Sequence, residues 1–185
     1  MPSPCRLYLI RHGHPNAGFA DATDPSLDDL GHAQAQAVAQ ELALLGPLPL
    51  LTSPLKRARE TVAPFEAQWG VTARVEPRIA EIPSPSKNLE QRAVWLSQAL
   101  RGRWSDLPLQ YQAWREQLLH CLIMQETSTV MTTHFVAINV AVGGAMNDDR
   151  MICCEPDYCS CTILEVINNS LQLVSLGRQR ATVIR

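Results

Sequence analysis

Apolar positions along this chain follow two different periods. Cys5 to Ile10, Leu48 to Leu51 and Thr129 to Thr133 are short, largely unbroken runs, the pattern of strands buried on both faces. Between the first two, Leu30, Ala33, Ala37, Val38, Leu42 and Leu45 recur at helical spacing, and Leu55, Ala58, Val62, Phe65 and Trp69 do so after the second. The first stripe predicts a helix over Asp28 to Leu45, with Asp28 as N-cap and Gly46 just past its end. Ser53 as N-cap and Pro54 at the first helical position predict the start of the second helix. Gly31 costs about 1 kcal/mol relative to alanine inside a helix, so close packing is its expected reason. Pro64 should kink or interrupt the second helix. After a breaker-rich loop at Pro83 to Lys87 come two helical stretches, Leu89 to Leu100 and Leu109 to Gln125. Trp95, Trp104 and Trp114 lie in or between them and read as core. Phe135 to Met146 is a last helix. Met151 to Cys154, Cys159 to Ile167 and Leu171 to Leu176 read as strands, with a hairpin turn at Asn168-Asn169.

This alternation of strand and helix predicts an α/β fold, a three-layer α/β/α sandwich on a mostly parallel sheet with an antiparallel C-terminal edge. A chain of 185 residues suits one domain over residues 1–185 with a sizeable core. A formal net charge of -2 gives no reason to expect nucleic acid or a membrane surface as partner. No stretch approaches the ~18 apolar residues of a membrane span, and no targeting segment is visible, so the expected location is cytoplasmic. Cys153, Cys154, Cys159 and Cys161 cluster, but not with the paired spacing of zinc sites. Placed on an alternating strand, Cys159 and Cys161 share one face and read as buried structural thiols.

The chemistry-bearing residues sit at strand ends. Leu9-Ile10-Arg11-His12-Gly13 closes the first apolar run. In open α/β sheets, ligands bind outside the carboxyl ends of the strands. An arginine there is a fork for an oxyanion such as phosphate, and a neutral histidine beside it is a candidate nucleophile. Arg57, in Ser53-Pro54-Leu55-Lys56-Arg57-Ala58, stands at a second strand-to-helix junction, and His134 follows the third run. Glu81 lies in the connection between those units. Each residue alone has a plain alternative, a solvated or structural polar side chain. That alternative weakens when all of them fall at matching topological positions.

These residues resemble the histidine phosphatase superfamily in its phosphoglycerate-mutase-like branch. Arg11-His12-Gly13 is similar to the family's RHG signature, and Leu27, Gly31, Gln34 and Ala35 to its next helix motif. Ser53, Pro54, Leu55, Arg57, Ala58 and Thr61 match a further motif that ends in a threonine. Glu81 and His134 fall where the family places its acid/base glutamate and second histidine. The resemblance implies His12 as nucleophile, Arg11, Arg57 and His134 on the phosphate oxygens, and Glu81 as general acid; Asp21 and Asp24, expected to flank the same entrance, are the reserve candidates for the acid. Arg59, two residues beyond Arg57, cannot share its helix face and should be solvated. The chain departs from the family pattern at His14, where an acidic or amide residue is usual, and at Phe135, where glycine is common. Asn16 comes too early to match the family's asparagine. His14 keeps two readings, a polar loop residue and a substrate contact.

The implied activity is metal-free hydrolysis of a small phosphate monoester through a phosphohistidine, with no cofactor. Three rivals stand beside it. A phosphoglycerate mutase of the same family carries a longer insertion than the 52 residues between Glu81 and His134 here. A metal-dependent hydrolase is suggested by His12-x-His14, but Arg11 beside it would repel a cation. The third is a catalytically silent phosphate-ligand binder. The loops Pro15 to Leu27 and Pro83 to Glu90 are expected to line the pocket mouth.

Overall fold

The computed structural model describes residues 4–18 and 21–180. Six strands form one sheet: β1 (Cys5–Arg11), β2 (Leu50–Thr52), β3 (Arg74–Val75), β4 (Thr129–Thr133), β5 (Cys161–Ile167) and β6 (Ser170–Ser175). Their spatial order is β3-β2-β4-β1-β5-β6. The first four in that order are parallel, while β5 and β6 are antiparallel additions at one side. This is the α/β sandwich with an antiparallel C-terminal edge that the alternation predicts.

The unbroken apolar runs have a direct explanation. In β1, Leu7 and Leu9 enter a core on one face with Leu51, Met131 and Ile138, while Tyr8 and Ile10 enter a core on the other with Leu50, Val38 and Phe65. Successive side chains point to opposite faces, and both faces are covered. Helices α1 (Asp29–Glu41) and α2 (Lys56–Trp69) supply the second core, whereas α3 (Leu89–Ala99), α4 (Leu109–Ile123) and α5 (Phe135–Met146) supply the first. Trp104 is a core residue and stacks on Trp114, while Trp95 packs on Tyr111; Trp95 and Trp114 are half-buried against the same core.

Helix α1 corrects its predicted phase and length. Asp28 is its N-cap, but the α-helix ends at Glu41 and a 3₁₀ turn, Ala43–Leu45, follows. Its buried face is Gly31, Ala35, Val38 and Ala39, while Leu30 is 53% exposed and Ala33 and Ala37 are exposed too. Backbone contact sets this phase. A Cβ on Gly31 would lie 2.2 Å from the His14 carbonyl oxygen, and one on Gly13 2.6 Å from that of Gly31. The close packing expected of Gly31 is therefore present.

Three further expectations are corrected. Pro64 does not interrupt α2, whose buried residues Ala58, Thr61, Val62 and Phe65 anchor the helix on both sides of it. Met151 to Cys154 is a loop and not a strand. Asn139, fully buried in α5, holds it by accepting from the backbone N–H groups of Cys153 and Cys154 at 2.7 and 2.9 Å. Cys159 lies before β5 with φ 50°, so it does not share an alternating strand with Cys161. All six cysteines are free thiols, and among the described residues no three His, Cys, Asp or Glu side chains group as a metal site. The hairpin turn at Asn168-Asn169 is as expected, with both residues at positive φ.

Candidate active site

Sheet register brings the two histidines together. β1 and β4 pair in parallel with Arg11 opposite Thr133. His12 and His134, each one residue further on, therefore leave the sheet side by side, with ring centroids 5.2 Å apart. β2 joins β4 through Thr52 and Thr132, and the Ser53 N–H donates to the Thr132 carbonyl at 3.0 Å. This draws Ser53 into the site. Its Oγ lies 2.7 Å from Nε2 of His134, and α2 begins at Lys56 with Leu55 as N-cap instead of at Pro54. Arg57 then comes from the first turn of α2. Arg11, His12, Ser53, Arg57 and His134 are all buried at the carboxyl ends of parallel strands. Arg59 is exposed, as expected.

Two hydrogen bonds fix the tautomer of His12. Nδ1 lies 2.8 Å from the Gly13 carbonyl oxygen, which can only accept. Arg57 Nε, which can only donate, lies 3.2 Å from Nε2. Nδ1 therefore carries the proton and Nε2 the lone pair. Burial, then the charges of Arg57 and Arg11, push the His12 pKa well below its usual 6.5. His134 is lowered in the same way, by burial first and then by Arg57. Its Nδ1 is buried with no hydrogen-bond partner among the described residues. His134 stands behind the cleft surface, whereas Arg11, His12, Arg57 and Glu81 line it.

Glu81 follows a 3₁₀ turn, Pro77–Ile79, which Thr133 tethers by donating its hydroxyl to the Ile79 carbonyl at 2.6 Å. The Glu81 carboxylate accepts from the backbone N–H groups of Ile82 and Val136, at 3.0 and 3.4 Å. Burial raises its pKa above the usual 4.5, against these N–H groups and the arginine charges. Burial thus shifts the two groups in opposite directions, the Glu81 carboxyl up and the His12 imidazole down. Asp24 serves elsewhere: its Oδ1 accepts from the Lys56 N–H at 2.9 Å and lies 3.6 Å from Arg57 Nη1. Asp21 is at the cleft rim, accepting from the Gly18 N–H.

The cleft has a volume of about 630 Å³. Residues 14–18, Asp21 and Pro25 form one side of it, as expected of that loop. The Pro83 to Glu90 loop is not in its lining. Leu96 and Leu100 of the α3 region take that side, with Phe135 beside them. His14 lines the cleft and its Nδ1 lies 2.7 Å from Asp28 Oδ2, while Asp28 Oδ1 accepts from the Gly31 N–H at 2.8 Å. One carboxylate thus starts α1 and holds His14. The Gly31 N–H, then His14, lower the Asp28 pKa. Thr61 ties the loop to α2: its Oγ1 accepts from the Gly13 N–H at 3.0 Å and donates to the Arg57 carbonyl at 2.6 Å.

Sequence reasoning missed Tyr158. Its ring centroid is 4.0 Å from the Arg11 guanidinium carbon, and Arg11 Nη1 donates to the Pro156 carbonyl at 2.8 Å. The signal was topological. β5 runs antiparallel to β1 with Cys161 opposite Ile10, so the residues before Cys161 must lie beyond the carboxyl end of β1.

A family model of the histidine phosphatase superfamily (branch 1) matches residues 7–179. The chain is 35% identical over 85 residues to the uncharacterized protein Rv0525 of Mycobacterium tuberculosis, a match covering 44% of this chain and 42% of that protein. It is also 35% identical over 80 residues to a glucosyl-3-phosphoglycerate phosphatase of the same species, covering 41% of this chain and 36% of that one. The chain thus spans less than half the length of these curated relatives. The structure of phosphoserine phosphatase from Entamoeba histolytica, in complex with 3-phosphoglyceric acid, superposes with a TM-score of 0.74 at 18% identity, over 95% of this chain and 98% of that one. With its two histidines, two arginines and glutamate gathered at one end of this sheet, the chain belongs to the histidine phosphatase superfamily.

Proposed function

We propose that residues 1–185 act as one catalytic domain, a cytoplasmic phosphatase that hydrolyses a small phosphate monoester through a phosphohistidine on His12. The observation that carries this reading is the tautomer of His12, with Nε2 unprotonated on the cleft and Nδ1–H anchored on Gly13. Nε2 attacks phosphorus, and the bond from phosphorus to the leaving oxygen breaks. Glu81 gives that oxygen its proton. Glu81, now a carboxylate, takes a proton from water as the water oxygen attacks the phosphohistidine. The P–N bond breaks, its electron pair returns to Nε2, and inorganic phosphate leaves. Arg11 and Arg57 hold the non-bridging oxygens from the cleft wall, with His134 buried behind them against the His12 ring. His14 contacts the leaving group from the rim. No step calls for a metal or cofactor. The relatives whose names give phosphorylated substrates support the class of reaction.

The test is phosphate release from a panel of phosphomonoesters, with and without exhaustive chelation, beside a measurement of interconversion of 2- and 3-phosphoglycerate. Chelator-resistant phosphate release is expected, with little interconversion. Release restored only by an added metal would favour a metal-dependent hydrolase, interconversion without release a mutase, and binding without turnover a silent binder.

A further inference from the structure

We propose that Tyr158 is a positioning residue that fixes the plane of the Arg11 guanidinium for its oxyanion. Segment 156–160 holds Arg11 from several sides. The Arg11 N–H donates to the Ser160 carbonyl at 3.3 Å, and the Arg11 carbonyl accepts from the Cys159 N–H at 3.0 Å. Nη1 donates to the Pro156 carbonyl at 2.8 Å. The guanidinium carbon lies 4.0 Å from the Tyr158 centroid and 5.2 Å from that of Phe135. An edge and the two ring contacts together leave the planar group little freedom to turn. Cation–π attraction adds to this, because the ring face is electron-rich.

The segment is itself held in place. Asp157 N–H donates to the Arg178 carbonyl at 2.8 Å, and Arg180 N–H to the Glu155 carbonyl at 2.7 Å. Tyr158 also meets His14, with centroids 5.0 Å apart and planes at 72°. His14 is fastened to Asp28. Tyr158 therefore packs against both a held arginine and a held histidine. Arginine gains catalytic value from such pre-organisation, since an oxyanion meets a fork that needs no rearrangement.

The expectation that Arg11 binds phosphate rests on the proposed function; the positioning of Arg11 does not. Two readouts separate them. The first is the NMR signal of the Arg11 Nε–H group, whose sharpness and slow solvent exchange report a fixed side chain. The second is the affinity for inorganic phosphate. Tyr158→Phe keeps the ring face and should leave both unchanged. Tyr158→Leu keeps an apolar side chain without the π face. It should broaden the Arg11 signal and weaken phosphate binding by about 2–30-fold, with thermal unfolding verifying that the chain is folded. A Leu variant matching the Phe variant in both readouts would overturn the proposal. A loosened Arg11 in a protein that binds no phosphate even when unmodified would keep the clamp and remove the phosphate reading.

Discussion

Arg57 donates its Nε–H to Nε2 of His12 across 3.2 Å, so the nitrogen proposed to attack phosphorus is held by a cation until substrate arrives. The bond requires a lone pair on Nε2, and the charge behind it keeps that lone pair unprotonated. On the proposed function, phosphate entry would exchange the bond, the guanidinium turning to an oxyanion as Nε2 meets phosphorus.

The charge of Arg57 is the second-largest cause of the low His12 pKa, after burial. Arg57→Gln should therefore raise the pKa of His12, read from its imidazole signals in an NMR titration. An unchanged pKa would mean that burial and Arg11, without Arg57, set the protonation state.

The same burial makes the fold acid-sensitive. His12 and His134 have pKa values below 6.5 in the folded chain, so below that pH the unfolded chain binds protons that the folded chain does not. Stability then falls as pH falls, by about 1.4 kcal/mol per pH unit for each histidine in the limit. Glu81 acts with the opposite sign between its raised pKa and 4.5, where the folded chain holds the extra proton. Denaturant unfolding from pH 7 to 5 should show the loss, and His134→Gln should reduce the slope. A flat profile that His134→Gln leaves flat would show that the histidines titrate normally in the fold.

Gly31→Ala offers a test of the contact that places His14. By helix propensity it should stabilise by about 1 kcal/mol. A Cβ 2.2 Å from the His14 carbonyl oxygen reverses the sign, because backbone must move. A net loss of about 1–3 kcal/mol is expected in denaturant unfolding. A gain in stability would mean that the two backbones separate easily.

Much of this site was legible in the sequence because the sheet does the gathering. Arg11-His12 and His134 end two apolar runs, and parallel pairing of those runs suffices to bring the histidines together. Arg57 was legible through its position in the first turn after a strand. What was not legible depended on contacts between distant segments. Ser53 reads locally as a helix cap, but sheet pairing draws it onto His134. Leu30 reads as core, but the touch of Gly31 on His14 turns it to solvent. Tyr158 precedes a strand whose antiparallel direction brings it back to β1, and nothing in its local spacing shows that.

Glu81→Gln tests the proposed acid through the leaving group. An alkoxide needs a proton to depart, while a nitrophenolate does not. The variant should slow single-turnover phosphorylation by an alkyl phosphate by roughly 10²–10⁴-fold, and by an aryl phosphate much less. The aryl substrate should also leave phosphohistidine accumulated, since water attack has lost its base. Equal losses for both leaving groups would exclude Glu81 as the acid and turn attention to Asp21.

The most direct measurement is to trap the intermediate. Protein mixed with ³²P-labelled phosphomonoester and quenched without acid should carry an acid-labile phosphoryl group, mapped by peptide mass to His12. His12→Ala should carry neither label nor activity. Turnover retained in His12→Ala, or label found on another residue, would contradict the assignment of His12 as nucleophile.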